Sequence, residues 1–173
     1  MNNILITGLP GSGKTTLIRR LAGSLGRCRP VGFYTEEIRE KGVRKGFEIV
    51  SLDGRKRRLA HAAFQGKPRI GRYGVDVPGF EDFLGAIGFT SRKAGVVIVD
   101  EIGRMECLSP AFIRLMRELL DSRTLLVATV ARIGEGFIRE VKGRGDVEII
   151  DIDPGNGEIV LQTLRDRLGV HGR

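Results

Sequence analysis

Residues 8–15 read Gly8-Leu9-Pro10-Gly11-Ser12-Gly13-Lys14-Thr15, which matches the pattern G-x-x-x-x-G-K-[ST] at every defined position. This pattern predicts a phosphate-binding loop where it joins a β-strand to an α-helix. Residues 3–7, just before it, form a short apolar run typical of a buried strand. Residues 14–25, just after it, carry leucines at helical spacing. The local context that the pattern requires is therefore present, and it decides the expected fold.

The predicted loop has the residue types that phosphate binding needs. Glycine tolerates backbone angles that strain other residues, so successive main-chain N–H groups can point at phosphate oxygens. The following helix adds the positive end of its dipole. We expect Lys14 to reach the β- and γ-phosphates, the Thr15 hydroxyl to bind Mg²⁺, and Thr16 to donate to the α-phosphate. The full predicted phosphate-binding set is Gly8, Leu9, Pro10, Gly11, Ser12, Gly13, Lys14, Thr15 and Thr16.

A second candidate segment lies in the middle of the chain. It reads Val96-Val97-Ile98-Val99-Asp100-Glu101, an apolar run that ends in two acids and is typical of a strand buried on both faces. Ligands of open α/β sheets bind outside the carboxyl ends of the strands, so Asp100 is expected to hold Mg²⁺ near the loop. Glu101 is expected to orient or deprotonate water, which favours hydrolysis over transfer to a second substrate. A structural ion pair is the alternative for Glu101.

The order of apolar patterns predicts one α/β domain over residues 1–173. Strand and helix patterns alternate in the second half, which favours a mostly parallel sheet flanked by helices. Residues 31–62 differ, because alternating side chains and the Asp53-Gly54 turn signal indicate an antiparallel β-meander inserted into the α/β chain. Ser109-Pro110 is expected to begin a helix that ends near residue 120. The other predicted elements are a loop at 65–79, helices at 80–87, 135–142 and 157–168, and strands at 124–130 and 147–152.

The composition is that of an ordinary globular protein with a basic surface. No run approaches the roughly 20 apolar residues of a membrane helix, and no secretory signal pattern precedes the first strand, so we expect a cytoplasmic protein without a membrane partner. Cys28 and Cys107 give neither a disulfide framework nor metal-ligand spacing. Lysine and arginine outnumber aspartate and glutamate by 29 to 21. This excess attracts polyanions, a class that includes both nucleic acid and free nucleotides.

Several motifs together resemble one known family. They are Gly32-Phe33-Tyr34-Thr35-Glu36-Glu37, Gly46-Phe47, Ile70-Gly71-Arg72-Tyr73-Gly74-Val75-Asp76, Phe80-Glu81 and Asp100-Glu101-Ile102-Gly103-Arg104-Met105-Glu106. With the glycine-rich loop, they make almost the whole chain similar to the P-loop nucleoside-triphosphatase family that includes the cancer-related nucleoside-triphosphatase and its thermophile relatives. The resemblance implies a P-loop NTPase fold, a monomer, and Mg²⁺-dependent hydrolysis of ATP, GTP, CTP and UTP with little base preference.

The resemblance also implies roles for residues near the second segment. Glu101 is the implied base that activates water. Arg104 stands where the family has lysine or arginine and could supply positive charge to the transition state, although a solvent-facing cation is an equal alternative. The implied nucleotide-contacting residues of this segment are Val96, Val97, Ile98, Val99, Asp100, Glu101, Ile102 and Gly103.

Two further groups of residues are candidates on the same resemblance. Thr35, Glu36 and Glu37 could line the γ-phosphate side of the pocket, or could form an exposed strand end. Arg132, which follows the strand predicted at 124–130, is a second candidate arginine. Its role is open because Ala131 stands where the family often has proline, which alters the expected shape of the loop.

Two other functions share parts of these patterns. A kinase for a small molecule or a nucleotide would have the same loop, with the basic segment 67–72 as a closing lid. A nucleic-acid-stimulated ATPase would use the run Arg55-Lys56-Arg57-Arg58. Aromatic residues are only 6% of the chain and tryptophan is absent, so a base-stacking platform is not expected and any nucleic-acid binding would be non-specific.

Overall fold

The computed structural model of the protein describes residues 3–89, 91 and 94–170, and these form one mixed sheet with helices packed on both faces. This confirms the predicted α/β class. In the described residues no helix has the length and apolar content needed to cross a membrane. The strands are β1 (Asn3–Thr7), β2 (Pro30–Glu40), β3 (Val43–Ser51), β4 (Lys56–His61), β5 (Arg69–Ile70), β6 (Tyr73–Val75), β7 (Val96–Ile102), β8 (Leu125–Val130) and β9 (Val147–Asp151). The helices are α1 (Lys14–Ser24), α2 (Val77–Gly85), α3 (Pro110–Leu120), α4 (Phe137–Lys142) and α5 (Gly157–Arg167).

The strand order divides the sheet into a parallel half and an antiparallel half. Across the sheet the order is β5-β6-β4-β3-β2-β7-β8-β1-β9. Strands β2, β7, β8, β1 and β9 pair in parallel, whereas β2, β3, β4, β6 and β5 pair antiparallel. The predicted meander therefore continues the parallel sheet from its β2 side. Strand β2 belongs to both halves.

Two apolar layers pack against opposite faces of the parallel strands. On one face, Ile4, Ile98 and Val127 belong to the cluster that contains the buried leucines of α1 and α5. On the other face, Leu5 and Val97 belong to the cluster that contains Phe112 of α3 and Phe137 of α4, among others. Successive residues of a strand point to opposite faces, so the near-continuous apolar runs of β1 and β7 serve both layers. Strands β1 and β7 are therefore held by packing on both faces.

The local patterns place most elements within a few residues of their observed bounds. The Ser109 hydroxyl accepts a hydrogen bond from the Phe112 N–H at 3.0 Å, which caps α3 as the Ser-Pro pair predicts. The main difference lies in residues 65–79, which form the short β5–β6 hairpin and the beginning of α2 instead of a loop. Two-residue and three-residue strands are too short to produce a recognisable alternation.

Gly32 is required where β2 crosses close to β7. Gly32 pairs with Ile98 and has a φ of +138°. A Cβ added at this position would lie only 1.7 Å from the Ile98 carbonyl oxygen. A side chain here would therefore separate the two strands at the junction between the parallel and the antiparallel halves.

We expect Gly32→Ala to lower the free energy of unfolding by several kcal/mol, because it combines a backbone clash with an unfavourable φ. Gly23→Ala is the matched control, since Gly23 lies within α1 and an added Cβ there meets nothing within 4 Å. In urea unfolding the free energy of unfolding of the control should increase by up to about 1 kcal/mol, because alanine has the higher helix propensity. Equal stabilities of the Gly32 variant and the natural chain would contradict the close approach.

Candidate active site

Asp100 is the point where three segments of the chain meet. Its side chain lies near the carboxyl end of β7 and is only 1% exposed. The Thr15 hydroxyl donates to Asp100 Oδ2 at 2.8 Å, and the Thr35 hydroxyl donates to the same oxygen at 3.1 Å. The Thr129 hydroxyl of β8 donates to Oδ1 at 2.6 Å. A buried carboxylate needs such donors, and here they come from α1, β2 and β8.

The chemistry of these groups fits a magnesium ion. Mg²⁺ prefers oxygen ligands and is held in NTP-binding sites by one or two protein oxygens together with phosphate oxygens and water. Thr15 Oγ1 and Asp100 Oδ2 are already within hydrogen-bond distance of each other. Within the described residues no group of three or more His, Cys, Asp or Glu side chains could hold a metal by itself. The oxygens of Thr15 and Asp100 therefore fit an ion whose remaining ligands are phosphate oxygens and water.

A cavity of about 650 Å³ opens above these groups, and we call it the phosphate cavity. One wall is the glycine-rich loop with the first turn of α1, and the other is the β2–β3 hairpin. The lining residues are Pro10, Gly11, Gly13, Lys14, Thr15, Thr16, Arg19, Thr35, Glu36, Glu37, Arg44, Phe47 and Glu101. The structure thus brings together the candidate residues of the loop, the end of β7, and Thr35, Glu36 and Glu37.

The loop has the backbone geometry that its glycines permit. Gly11 and Gly13 have φ values of +80° and +93°, in the region that residues with a side chain rarely adopt. Gly13 is the N-cap of α1, so the free N–H groups of the first helical turn face the cavity end of the loop. The Lys14 ammonium donates to the carbonyl oxygens of Gly8 and Leu9 at 3.1 and 3.2 Å. The N–H groups of the first helical turn and the Lys14 ammonium together form a site suited to anions.

Two acids follow Asp100 in the chain, the half-buried Glu101 in the cavity wall and the buried Glu106. Burial raises the pKa of Glu101, the neighbouring Asp100 raises it further, and Lys14 opposes the shift. Burial also raises the pKa of Glu106 to about 8, with a second contribution from the charge of Glu101. Sequence patterns predict no role for Glu106, because a buried acid that follows a strand cannot be distinguished by pattern from an exposed one.

Arg44 is an arginine at the phosphate cavity that the sequence patterns did not single out. It lies on β3 and lines the cavity with Lys14 and Glu101. Its Nη1 donates to Glu37 Oε1 at 2.6 Å and its Nε donates to the Tyr73 hydroxyl at 3.2 Å. The hydrogen bond from Arg44 is the main reason why the pKa of Glu37 is lowered. The guanidinium group is therefore held in place from two sides.

Several residues of the second segment do not reach the cavity. Val96, Val97, Ile98 and Val99 are at most 1% exposed inside the sheet, so the expectation that they contact nucleotide is corrected. Ile102 is likewise fully buried, and an added Cβ at Gly103 would lie 2.8 Å from Glu106 Oε2. These residues position Asp100 and Glu101. Arg104 is exposed in the turn after β7 and is not among the residues that line the cavity.

A second cavity, of about 360 Å³, lies on the other side of the loop. It is lined by residues 9–12, Arg132 and residues 151–154, so it shares Pro10 and Gly11 with the phosphate cavity. Arg132 follows β8 and lies 3.7 Å from Asp151. The Ala131 N–H donates to the Ile102 carbonyl at 3.1 Å, a bond that proline could not form. The departure from the family pattern at position 131 therefore adds a link between the loop that bears Arg132 and β7.

The structure also shows where the basic segments of the two alternative functions lie. In the run 55–58, Lys56 is within 3.4 Å of both Glu36 and Glu48, and Arg57 is 3.5 Å from Asp76. Residues 56–58 belong to β4. In the segment 67–72, Lys67 also pairs with Asp76 at 2.7 Å. Both segments are thus held at the antiparallel half of the sheet, and part of the segment that a kinase would use as a lid belongs to the short β5–β6 hairpin.

These features define a class of protein. A glycine-rich loop between a strand and a helix, with an aspartate and a glutamate at the end of a neighbouring strand, is the site of a P-loop protein that binds nucleoside triphosphates. The model of the family described as NTPase matches residues 3–165. The chain therefore belongs to the NTPase family.

Individual relatives agree with this family. The nucleoside-triphosphatase THEP1 of Thermotoga sp. (strain RQ2) is 38% identical over 162 residues, which cover 93% of this chain and 92% of the relative. The cancer-related nucleoside-triphosphatase homolog of Mus musculus is 34% identical, with 94% of each chain covered. The crystal structure of THEP1 from Aquifex aeolicus superposes with a TM-score of 0.81 at 31% identity, over 96% of this chain and 98% of that one. The solution structure of a human cancer-related nucleoside triphosphatase gives 0.79 at 30% identity, over the whole of both chains. The protein is a nucleoside-triphosphatase, as the resemblance implies.

We expect the stability effect of Glu106→Gln to depend on pH. In the folded chain Glu106 keeps its proton up to about pH 8, whereas in the unfolded chain it loses the proton near its ordinary pKa of 4.5. The natural protein therefore loses stability between these two pH values, and glutamine, which does not titrate, avoids this loss. The free energy of unfolding of the variant, relative to that of the natural protein, should therefore increase by a few kcal/mol from pH 4.5 to pH 9.

The measurement is urea unfolding at several pH values in the presence of a chelator. The exposed Glu118 of α3 provides the control variant Glu118→Gln. A difference between the Glu106 variant and the natural protein that stays constant with pH would mean that Glu106 titrates normally.

Proposed function

We propose that the protein hydrolyses ATP, GTP, CTP and UTP to nucleoside diphosphate and phosphate in a reaction that requires Mg²⁺. The observation that carries this proposal is the 2.8 Å contact between the Thr15 hydroxyl and Asp100, with Lys14 and Glu101 in the wall of the adjacent cavity. The contact brings the two metal-binding groups of the P-loop class to one place. The names of the related nucleoside-triphosphatases support the same reaction.

Phosphate binding is the task of the loop. Its main-chain N–H groups and the first turn of α1 surround the β-phosphate, and Lys14 spans the β- and γ-phosphates. To do so the ammonium exchanges its hydrogen bonds with the carbonyls of Gly8 and Leu9 for bonds to phosphate oxygens. Thr15 and Asp100 would hold Mg²⁺, which would supply positive charge to neutralise that of the phosphates. Thr35, through its bond to Asp100, keeps β2 beside this group.

Glu101 is the group that activates the attacking water. It lies in the cavity wall next to Asp100, and its raised pKa makes it a stronger base than an ordinary carboxylate. Lys14 opposes part of the shift and so favours the ionised form that a base requires. Transfer to water needs no second substrate site. The segment 67–72, which a kinase would use as a lid, is tied into the β5–β6 hairpin.

Arg44 is a better candidate than Arg104 for stabilising the charge of the transition state. Arg44 lines the phosphate cavity, whereas Arg104 is exposed outside its wall. The Tyr73 hydroxyl orients the Arg44 guanidinium, and Glu37 is a counter-ion that phosphate oxygens can replace. The antiparallel half of the sheet thereby contributes a cation to chemistry performed at the parallel half.

The experiment that tests the proposed reaction is a phosphate-release assay with the four nucleoside triphosphates and their deoxy forms. Each is measured with Mg²⁺ and again with a chelator. Release that depends on Mg²⁺, continues without any acceptor and differs little between bases is the expected result. Formation of nucleoside diphosphate only with an added acceptor, and without release of free phosphate, would instead identify a kinase, and strong stimulation by RNA or DNA would identify a nucleic-acid-dependent ATPase.

Glu101→Gln should retain triphosphate binding but reduce turnover by a factor on the order of 10², because it removes the general base and keeps the shape of the side chain. Lys14→Ala should instead lose tight triphosphate binding. Binding is measured by calorimetry and turnover by phosphate release. Arg123→Ala is a control cation variant, because Arg123 is exposed just before β8 at the opposite end of the parallel strands. Turnover of the Glu101 variant near that of the natural protein would place the base elsewhere.

Arg44→Ala should lower kcat by a factor of roughly 10² and leave KM nearly unchanged, which is the effect of removing a group that binds mainly the transition state. Arg39→Ala is the matched control, since Arg39 also donates to Glu37, at 2.8 Å, but does not line the cavity. The same assays on Arg104→Ala compare the two candidate arginines. A larger fall in kcat for Arg104→Ala than for Arg44→Ala would reverse the assignment.

A further inference from the structure

The second cavity lies where the rest of a bound nucleotide must go. The phosphate cavity is over β7 and β2, on one side of the loop, whereas the second cavity is over β8 and β9, on the other. Strand β1, which precedes the loop, lies between β8 and β9 in the sheet. Pro10 and Gly11 border both cavities. A molecule whose terminal phosphate points towards Glu101 therefore crosses the loop and leaves its other end above β9.

The walls of the second cavity are suited to a flat, mostly apolar group. Leu9 is 61% exposed although its side chain is large and apolar, and the buried Ile152 and the exposed Pro154 also line the cavity. A volume of about 360 Å³ is within the range of small-molecule sites. An exposed leucine beside such a recess is covered when an apolar ligand enters, and this burial favours binding.

Arg132 is the cationic side chain in the wall that a ligand can reach. It is 3.7 Å from Asp151, too far for a hydrogen bond but close enough for the carboxylate to orient the guanidinium. Ser12 also lines the cavity, but its hydroxyl is buried and is not open to a ligand there.

Two polar side chains of this region are already used by the turn before α5. Asp153 accepts hydrogen bonds from the N–H groups of Gly155 and Asn156 at 2.7 and 3.0 Å. The Asn156 amide donates to the Asp151 carbonyl at 3.1 Å and accepts from the Asp153 N–H at 3.0 Å. The side-chain carboxylate of Asp151, 3.7 Å from Arg132, stays exposed in the cavity wall. Apolar surface and the guanidinium plane are therefore the features that can receive the flat face of a base.

We propose that the second cavity binds the nucleoside of the substrate, with the Arg132 guanidinium stacked on the base. This inference rests on the proposed function, since it assigns the other half of the same ligand. Arginine planes stack on every base alike. Through this contact the cavity recognises a base as an aromatic plane, a feature that purines and pyrimidines share.

The test compares nucleotides with a ligand that has no nucleoside. Calorimetry with Mg²⁺ present measures ADP, GDP, CDP, UDP and inorganic tripolyphosphate on the natural protein and on Arg132→Ala, Arg132→Lys and the control Arg123→Ala. We expect Arg132→Ala to weaken all four diphosphates by about tenfold, the size of one lost stacking contact, and to leave tripolyphosphate within twofold. Arg132→Lys should restore little of this loss, because an ammonium group has no plane to stack.

Other outcomes separate the failure of this inference from that of the proposed function. Equal weakening of tripolyphosphate and nucleotides by Arg132→Ala would make Arg132 a phosphate ligand and overturn the inference. Unchanged nucleotide binding would also overturn it. If the natural protein binds nucleotides no better than tripolyphosphate, the nucleoside site does not exist, although the phosphate site stands. If it binds neither ligand, the proposed function itself is wrong.

A second measurement locates the base directly and does not depend on any variant. In methyl-labelled protein saturated with ADP, nuclear Overhauser effects are expected between the base protons and the methyl groups of Leu9 and Ile152. Phe47 lines the phosphate cavity, and contacts of the base protons with its ring would place the base on the other side of the loop. That result would overturn the inference.

Discussion

The buried carboxylate of Asp100 is the constraint on which the site depends. A charge that is only 1% exposed must be satisfied by hydrogen bonds, and Thr15, Thr35 and Thr129 supply them from three different elements. Each bond fixes one element relative to β7. Thr15 fixes the beginning of α1, and with it the phosphate loop. Thr35 fixes β2, and with it the whole antiparallel half of the sheet.

The position of β2 explains how a mixed sheet serves a phosphate site. Strand β2 runs parallel to β7 up to the register pair Phe33 with Val99, and then continues as the first strand of the meander. The β2–β3 hairpin therefore rises beyond the carboxyl ends of the parallel strands, the edge at which ligands of such sheets bind. Gly32 permits the close approach that begins this path. The meander is thus one wall of the cavity, in addition to being an extension of the sheet.

The sequence predicts the parts of this structure that depend on local pattern. The eight-residue loop motif, the apolar run before Asp100 and the Ser109-Pro110 pair each predict a strand end or a helix start, because the chemistry involved lies within a few residues. The strand order and the role of Arg44 could not be predicted in this way. Arg44 reaches the phosphate cavity only because β3 pairs with β2 and β2 pairs with β7, two contacts between segments distant in sequence. The prediction that nucleotide contacts extend back to Val96 was wrong for a related reason. An apolar pattern identifies a strand, but it does not show at which residue the strand becomes accessible to a ligand.

The distribution of charge in the site links ligand binding to stability. Asp100, Glu101 and Glu106 lie close together. Burial and Asp100 raise the pKa of Glu101, and the cation Lys14 opposes this rise. Concentrated acids of this kind destabilise a fold unless positive charge is brought to them. In the proposed reaction a magnesium ion at Asp100 would supply that charge, and the triphosphate would engage Lys14 and Arg44 in turn. A ligand that binds only the folded state shifts the unfolding equilibrium in proportion to its affinity. Mg²⁺ and a nucleotide bound together are therefore expected to stabilise the fold more than either one alone. The ion neutralises only the acidic side chains, and the phosphates neutralise only Lys14 and Arg44.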